Sequence, residues 1–206
     1  PGDVLLTFPL DIDKVRYVLD KTNLPELCRK AGVKTPDTRT IDEEFEIKKT
    51  NGLNAPFAVK RATGVSGEGF IKVESWELIN HALTAAKKKN TEKFLIQEYI
   101  AGNVYGAGGI FDGQTLKHFY SYRYIRSYPD LCGPATVCQL ENLYSIKVAM
   151  EKVLTVLEWD GYCQMDFIVD ETAGLPYLID INPVHWYSMP YSSSDSLSCL
   201  SYYLGK

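Results

Sequence analysis

The stretch FAVKRATGVSGEGFIKVES, residues 57–75, gives the clearest structural signal in the sequence. Its two ends are rich in β-branched and aromatic residues, which favour strands, while its centre holds glycines without a helical repeat. The pattern predicts a strand, a glycine loop and a second strand. Because glycine has no Cβ, the backbone N–H groups of Gly64, Gly67 and Gly69 can approach an anion closely, and Ser66 lies in the same loop.

A phosphate group is the ligand that such a loop typically binds. Lys60 precedes the loop on the entering strand and could supply a full positive charge to the same space. The Rossmann and Walker motifs do not apply, because both need a helix directly after the glycines and here a strand follows. A hairpin tip without a ligand is the alternative, and the loop by itself leaves it open.

Helices and extended segments flank this unit. Residues 22–31, TNLPELCRKA, place leucines on one helical face, and Gly32 ends the helix. The following VKTPDT is predicted to be extended, because the residue before a proline is kept out of the helical region. A second helix is predicted over residues 43–49, and a third begins at a Ser75 cap and runs through WELINHALTAAKKK.

The second half of the chain is predicted to consist mostly of strands. FLIQEYI, YGAGGIFDG and LKHFYSYRYIR are aromatic or β-branched runs separated by turn signals, which indicates an antiparallel meander. A long amphipathic helix opens near Asn142, and two strands, YCQMDFIVD and LPYLIDIN, follow it around the turn-rich ETAG. A last short helix is expected near residues 197–204. Strands and helices are mixed without regular alternation, so the fold class is α+β.

The composition excludes several classes of protein. The 206 residues include 26 acidic and 22 basic side chains, a formal charge of −4, so no global basic field is available for nucleic acid. No run approaches the length of a membrane span, and residues 1–10 lack the charged start of a secretion signal. Five cysteines without a C-x-x-C pair argue against a disulfide framework or a structural zinc site. We expect one compact cytoplasmic unit with reduced thiols.

Three oxygen donors near the C-terminus form a second candidate site. Asp166 lies in QMDF, and Asp180 and Asn182 lie in IDINP. Residues two apart on a strand face the same side of a sheet, and Asp166 can lie opposite them on the neighbouring strand. Such oxygens suit Mg²⁺, which keeps positions for phosphate oxygens and water. The alternative is a set of strand-end carboxylates in solvent.

Five motifs in one order resemble those of a known superfamily. They are Asp20-Lys21 followed by LPELCRKAGVKTPDT, then PFAVKRATGVSGEGFIKV, LIQEYIAGN, GYCQMDFIVD and YLIDINP. Together they resemble the ATP-grasp superfamily, and within it the branch of carboxylate–amine ligases and the carbamoyl-phosphate synthase large subunit. The resemblance implies an ATP-grasp fold with nucleotide bound between two antiparallel sheets. It also implies an entry segment at residues 1–21, a smaller lobe at 22–90 and a larger lobe at 91–206.

The resemblance assigns roles to individual residues. Lys21 and Lys60 would contact the phosphates of ATP, and the glycine loop would close over them as a lid. The three C-terminal oxygen donors would hold one or two Mg²⁺ ions, with Mn²⁺ as a substitute. The hinge beside adenine would be formed by Gln97, Glu98, Tyr99 and Ile100.

The implied reaction joins two small molecules. In such enzymes ATP phosphorylates a carboxylate, and an amine or a similar nucleophile then attacks the acyl phosphate. Lysines and metal neutralise the charge that develops during the transfer. Two other functions stay open: a nucleotide-binding module without turnover, and an ATP-dependent small-molecule kinase. The sequence names neither the acid nor the amine.

The sequence departs from the family pattern at three points. Val104 stands where an acidic residue often holds the ribose, and Val184 stands where the motif Asn-Pro-Arg usually places an arginine. Arg123 or Arg126 in SYRYIR is expected to replace that arginine, and His185 is a poorer replacement. Family members also usually begin with a further α/β domain. We therefore expect either a fragment that acts with an upstream domain or a second copy, or a reduced version of the family.

Overall fold

Strand pairing divides the chain into two antiparallel sheets. The computed structural model describes residues 11–41, 53–64, 67, 69–86, 93–112 and 115–183. The helices predicted at residues 43–49 and 197–204, and the loop residue Ser66, lie outside these ranges. Within them, the mixture of two sheets and four α-helices confirms the predicted α+β class.

Helices and strands follow each other along the chain without regular alternation. Their bounds are α1 (Ile12–Leu19), α2 (Leu24–Ala31), β1 (Thr38–Ile41), β2 (Phe57–Arg61), β3 (Ile71–Val73), α3 (Ile79–Ala86), β4 (Phe94–Glu98), β5 (Gly102–Asp112), β6 (Leu116–Ser127), β7 (Ala135–Leu140), α4 (Tyr144–Val156), β8 (Asp160–Asp170) and β9 (Pro176–Asn182). Short 3₁₀ turns precede α2 and α3, at Lys21–Asn23 and Trp76–Leu78. In the described ranges, no helix combines the length and the apolar character needed to cross a membrane.

The first sheet has the strand order β1-β4-β2-β3, with every neighbouring pair antiparallel. The two strands predicted on either side of the glycine loop are confirmed as β2 and β3. Side chains alternate along a strand, so Phe57 and Val59 of β2 join Ile96 of β4 in a core that Ile79 of α3 covers. Lys60, directly after Val59, is turned to the opposite face.

The second sheet has the strand order β7-β6-β5-β8-β9 and is also antiparallel. Residues from α1, α2 and α4 share a large core with one face of this sheet, where Met150 and Leu154 of α4 join Phe167 of β8. A smaller cluster around Tyr122 and Tyr162 lies on the other face. The sheet therefore has one face covered by helices and one face turned to the first sheet.

The first two helices belong to the core of the second sheet. The helix predicted at residues 22–31 is confirmed as α2, with Pro25 in its first turn and Gly32 ending it at a φ of 63°. The helix α1 is not predicted from the sequence. Asp11 caps this helix by accepting hydrogen bonds from two N–H groups of its first turn. Ile12 and Leu19 are exposed at its ends, which weakens its apolar pattern.

Two helix starts differ in detail from the expected caps. α4 begins at Tyr144, and Asn142 does not cap it, because its Oδ1 accepts a hydrogen bond from the N–H of Ser121 at 2.8 Å. Ser75 precedes the 3₁₀ turn before α3, and its side chain makes no capping hydrogen bond there. Asn142 and Ser75 therefore lie near the starts of these helices without capping them.

Sheet membership does not follow the expected lobe boundary at residues 90 and 91. β4 comes after that boundary but pairs with β1 and β2 in the first sheet. α1 and α2 come before it but pack on the second sheet. The chain passes from one sheet to the other between Glu98 and Gly102. The division into lobes stays a proposal, and the strand pairing favours a change at this crossing.

Gly102 provides a test of the crossing. A Cβ at this position would lie 2.3 Å from the carbonyl oxygen of Val169 on β8. We expect Gly102→Ala to lower the free energy of unfolding by about 1–3 kcal/mol, because the two strands must move apart. Asn103→Ala, at the exposed neighbouring position, should change it by less than about 0.5 kcal/mol. Urea denaturation measures both variants, and equal stabilities would contradict the close contact.

Candidate functional site

A cleft of about 650 Å³ lies between the two sheets. Its walls are the free face of β2, the glycine loop, the start of β5, the end of β6 with the turn after it, and facing residues of β8 and β9. Five of the residues singled out in the sequence line it together: Lys21, Lys60, Asp166, Asp180 and Asn182. The structure thus brings the expected basic and acidic groups into one space.

The two lysines converge on β9. The backbone N–H of Lys21 donates to the carbonyl of Ala62 at 2.8 Å, which holds this residue beside the end of β2. Its Nζ lies 2.6 Å from Oδ1 of Asp180, in an ion pair whose side chains are only 13% and 22% exposed. The Nζ of Lys60 donates to the carbonyl of Ile179 at 3.1 Å. Both ammonium groups therefore lie at the same end of the acidic set.

Burial gives Lys60 an unusual acidity. Loss of solvent lowers the pKa of Lys60 to about 8, and the positive charge of Lys21 adds to the lowering. The negative charges of Asp180 and Asp166 act in the opposite direction. A multiply charged anion in the cleft would favour the charged form of both lysines. This pair of side chains is therefore suited to phosphate groups.

Strands β8 and β9 place the acidic residues in register. Asp166 pairs with Asp180, and Gln164 pairs with Asn182, with a bulge directly after Asp166. The predicted position of Asp166 opposite Asp180 is thereby confirmed. Burial, together with the charge of Asp180, raises the pKa of Asp166 to about 6.

These side chains fit a divalent cation that prefers oxygen ligands. The raised pKa of Asp166 reflects desolvation and a like charge nearby, and a cation would relieve both. The described residues contain no group of three or more His, Cys, Asp or Glu side chains placed to hold a metal, so the Asn182 amide is needed as a third donor. Mg²⁺ is usually bound by one or two carboxylates together with substrate phosphates. Asp166, Asp180 and Asn182 could therefore hold Mg²⁺ or Mn²⁺.

The glycine loop contacts the second sheet across the cleft. Gly64 and Gly67 line the cleft, and Gly67 has a φ of 72°, which favours glycine. A Cβ on Gly67 would lie 2.1 Å from the carbonyl oxygen of Cys132, in the turn between β6 and β7. Gly69 packs instead against the side chain of Arg61. Only the absence of a side chain at Gly67 lets the loop lie this close to the turn.

The side chains of the predicted hinge residues are engaged outside the cleft. The buried amide of Gln97 donates to Oγ1 of Thr38 at 2.8 Å. The ring of Tyr99 lies 4.5 Å from Nζ of Lys72. Glu98 accepts from a backbone N–H, and Ile100 is buried. Among the described residues that line the cleft, Gly102 is the nearest along the chain to the predicted hinge, and an adenine contact by residues 97–100 stays a prediction.

The two candidate arginines lie on different faces of β6. Arg126 lines the cleft. Alternation along the strand turns Arg123 away from Tyr122 and Tyr124, which line the cleft, and its Nη2 donates to Oε1 of Gln139 at 3.1 Å. The structure therefore brings Arg126 to the site and leaves Arg123 on the face that the helices cover.

Two polar side chains of the cleft, Gln164 and Tyr124, are not among the residues predicted from the sequence. Gln164 stands two residues before Asp166, so strand alternation alone could have placed it on the same face. The hydroxyl of Tyr124 donates to Oδ1 of Asp166 at 2.9 Å. Burial and the charge of Asp166 raise the pKa of Tyr124, which keeps the hydroxyl a donor. No sequence signal links Tyr124 with Asp166, because only the order of the strands brings them together.

The sequence matches the family model described as the ATP-grasp domain over residues 18–184. This range contains every part of the cleft named above. The chain belongs to the ATP-grasp family, which confirms the resemblance seen in the motifs at the level of the superfamily.

Curated proteins similar to this chain include D-alanine–D-alanine ligases. The ligase of Corynebacterium jeikeium (strain K411) is 26% identical over 203 residues, covering 84% of this chain and 53% of the ligase. The ligase of Clostridium acetobutylicum is 26% identical over 198 residues, covering 89% of this chain and 57% of the ligase. The chain thus spans a little over half the length of these relatives.

Solved structures share the fold. D-alanine–D-alanine ligase from Bacillus anthracis complexed with ATP has a TM-score of 0.72 at 19% identity, covering 96% of this chain and 70% of that one. VanG D-Ala:D-Ser ligase from Enterococcus faecalis has a TM-score of 0.74 at 16% identity, covering 96% and 64%. N5-carboxyaminoimidazole synthase from Aspergillus clavatus has a TM-score of 0.71 at 15% identity, covering 88% and 48%. The predicted ATP-grasp fold is confirmed.

The raised pKa of Asp166 predicts how the stability of the protein depends on pH when metal is absent. Folding raises the pKa of Asp166 from 3.8 to about 6, so the folded protein favours the protonated form. The contribution of Asp166 to stability is therefore full below about pH 4 and is lost as the pH rises through about 6. We expect Asp166→Asn to abolish this loss. Its stability relative to the parent should rise between about pH 4 and 7 in urea denaturation.

Titrating groups far from the cleft are common to the parent and to Asp166→Asn, so the difference between the two proteins reports Asp166 together with the groups that its charge acts on. A difference in unfolding free energy that stays constant over this pH range would contradict the raised pKa.

Proposed function

We propose that this chain binds ATP and a divalent metal ion in the cleft and belongs to a ligase that joins a carboxylate to an amine. The observation that carries the proposal is the convergence of Lys21 and Lys60 with the acidic residues of β8 and β9. Phosphoryl transfer requires positive groups for phosphate and ligands for a metal ion, and the cleft holds both. The curated relatives, which are named as ligases, support the reaction class.

The two lysines act on the phosphate groups in this proposal. Lys21 and Lys60 bind phosphate oxygens and neutralise the charge that spreads over the transferring phosphoryl group. The glycine loop, through Gly64 and Gly67, lies over the same space and limits the access of water. Bound at Asp166, Asp180 and Asn182, which fit it, Mg²⁺ would supply further charge at the phosphates.

In this proposal Arg126 binds the carboxylate substrate and the acyl phosphate formed from it. Its guanidinium offers paired donors whose geometry matches a carboxylate or an acyl phosphate. The resemblance gives this role to the arginine that Val184 replaces, and Arg126 is the candidate replacement that lines the cleft.

D-alanine is the first substrate to test, because the relatives named above are D-alanine–D-alanine ligases. These names favour the carboxylate–amine branch and leave the carbamoyl-phosphate synthase branch a prediction. The chain spans a little over half of each ligase, so the substrates are a proposal too. A contribution from a further domain or from a second copy of the chain belongs to the same proposal.

A nucleotide-binding module without turnover is the second candidate. It is favoured by Val184 at the arginine position and by the orientation of Arg123 away from the cleft. In that case the lysines and the acidic residues bind the metal–nucleotide complex, and no group steadies an acyl phosphate.

Nucleotide binding tests the basic half of the site. A ligand that binds only the folded state raises stability by mass action, so millimolar Mg-ATP or Mg-ADP should raise the Tm of the chain. Lys60→Ala should weaken binding by about 10- to 100-fold, because it removes a hydrogen bond to a charged group. Isothermal titration calorimetry measures both proteins.

Lys152→Ala is the matched control, since Lys152 is exposed on α4, behind the helix-covered face of the second sheet. It should bind nucleotide like the parent. Equal affinities of Lys60→Ala and the parent would remove Lys60 from the site. A parent chain with neither a Tm shift nor a heat of binding would contradict the proposed function as a whole.

Turnover separates the ligase from the other functions. The present chain should bind nucleotide but form ADP slowly, because the further domain proposed above would help to position the carboxylate. A carboxylate misplaced by about 1 Å can cost about 100-fold in rate. The product of the full reading frame should release ADP when both a carboxylate and an amine are supplied, with D-alanine tested first. Arg126→Ala should lower that rate by about 100-fold, and Arg123→Ala, its control on the other face of β6, should not.

The other outcomes of the ADP assay identify the alternatives. A stable phosphorylated product formed without an amine would indicate a kinase. A full-length protein that binds ATP and never releases ADP would indicate the non-catalytic module. Rapid amine-dependent release by the present chain alone would show that no further domain is needed.

A further inference from the structure

We propose that Gln164 is a positioning residue that orients the Asn182 amide so that its oxygen faces the metal ion. The inference rests on the proposed function and deepens it. Its basis is the hydrogen bonding around the two strands that carry the metal ligands, in which Gln164 contacts two of the three ligands at once.

Gln164 is buried between these ligands. Its side chain lies on the cleft face of β8, and the residue is only 6% exposed. The Oε1 of Gln164 accepts a hydrogen bond from Nδ2 of Asn182 at 2.6 Å, and its Nε2 donates to Oδ1 of Asp166 at 2.6 Å. Gln164 and Asn182 are also direct partners in the β8–β9 ladder. The strand register therefore holds the two amides against each other.

The direction of these hydrogen bonds decides which atom of Asn182 is available. An asparagine amide can present either its oxygen or its NH₂ group, and only the oxygen can bind a metal ion. The Nδ2 of Asn182 donates to Oε1 of Gln164 and, at 3.3 Å, to Oδ2 of Asp166. With its nitrogen held by these acceptors, Asn182 keeps its Oδ1 for a cation.

The carboxylates are oriented by similar contacts. The Oδ1 of Asp166 accepts from both Gln164 and the hydroxyl of Tyr124. The Oδ1 of Asp180 accepts from Nζ of Lys21 and from the N–H of the next residue at 3.0 Å. In each carboxylate Oδ1 is thus the more heavily engaged oxygen, which favours Oδ2 as the metal ligand.

An amide is the side chain that this position requires. Gln164 must accept a hydrogen bond from one ligand and donate one to the other. Glutamate cannot donate and adds a charge beside Asp166, whereas methionine has nearly the shape of glutamine, cannot donate, and offers only a weakly accepting sulfur. Gln164→Met therefore removes the orientation while it preserves the packing.

Metal affinity measures the effect without turnover. We expect Gln164→Met to weaken Mn²⁺ binding in the presence of ADP by about 10- to 100-fold, the usual cost of losing a hydrogen-bond partner of a metal ligand. The electron paramagnetic resonance signal of free Mn²⁺ reports this affinity. Ser121→Ala is the control, because the Ser121 hydroxyl is buried in the same sheet and bonds to Glu141 and Leu143, away from the ligands. It should leave Mn²⁺ affinity unchanged.

A double-mutant cycle with Asn182→Asp separates orientation from general damage. A carboxylate at position 182 presents an oxygen whichever way it turns, so it needs no partner to orient it. In the Asn182→Asp background, Gln164→Met loses only its contact with Asp166, so its loss of Mn²⁺ affinity should be at least about threefold smaller than in the parent, which is a coupling between the two residues. If Gln164→Met does not fold, Gln164→Ala replaces it, since water can fill the space it leaves in the cleft.

Two results would overturn the inference. One is a Gln164→Met protein that binds Mn²⁺ like the parent, and the other is the same loss of affinity in the Asn182 and Asn182→Asp backgrounds. A parent chain that binds neither Mn²⁺ nor ADP would overturn the proposed function itself, so the two failures are distinguishable.

Discussion

Two carboxylates held in register on neighbouring strands are the constraint around which this protein is organised. Asp166 and Asp180 lie opposite each other on β8 and β9, where burial makes like charges costly. The side chains that contact them are donors or cations, including Lys21, Tyr124, Gln164 and Asn182. Because Lys21 is held beside β2 in the first sheet, the balance of charge depends on both sheets being present.

In both sheets the apolar core and the polar groups of the cleft lie on opposite faces. Each sheet buries one face in an apolar core of its own, around Ile96 in the first and Met150 in the second. The remaining faces are free to carry polar groups, because neither core depends on them. Strand alternation then assigns alternate residues of β2, β8 and β9 to one role or the other.

Features with a local signal are predictable from the sequence. The spacing of Asp180 and Asn182 predicts a shared face because strands alternate with period two, and the glycines of residues 64–69 predict a tight loop through their own geometry. Features that depend on strand order are not predictable in this way. The face taken by Arg123, the contact between Tyr124 and Asp166, and the place of β4 in the first sheet all depend on which strands are neighbours. A single sequence carries no direct signal for that order.

The Lys21–Asp180 ion pair also bears on the order in which ligands arrive. Removing one partner from a poorly solvated pair leaves the other uncompensated, which is costly. A divalent cation that binds alone would have to compete with the Lys21 ammonium for Asp180 and would leave that ammonium without a counterion. A metal–polyphosphate complex replaces both halves of the pair at once, since the cation takes the carboxylate and the phosphate takes the ammonium. Under the proposed function, Lys21 would therefore act as an internal counterion that favours entry of the metal together with its nucleotide.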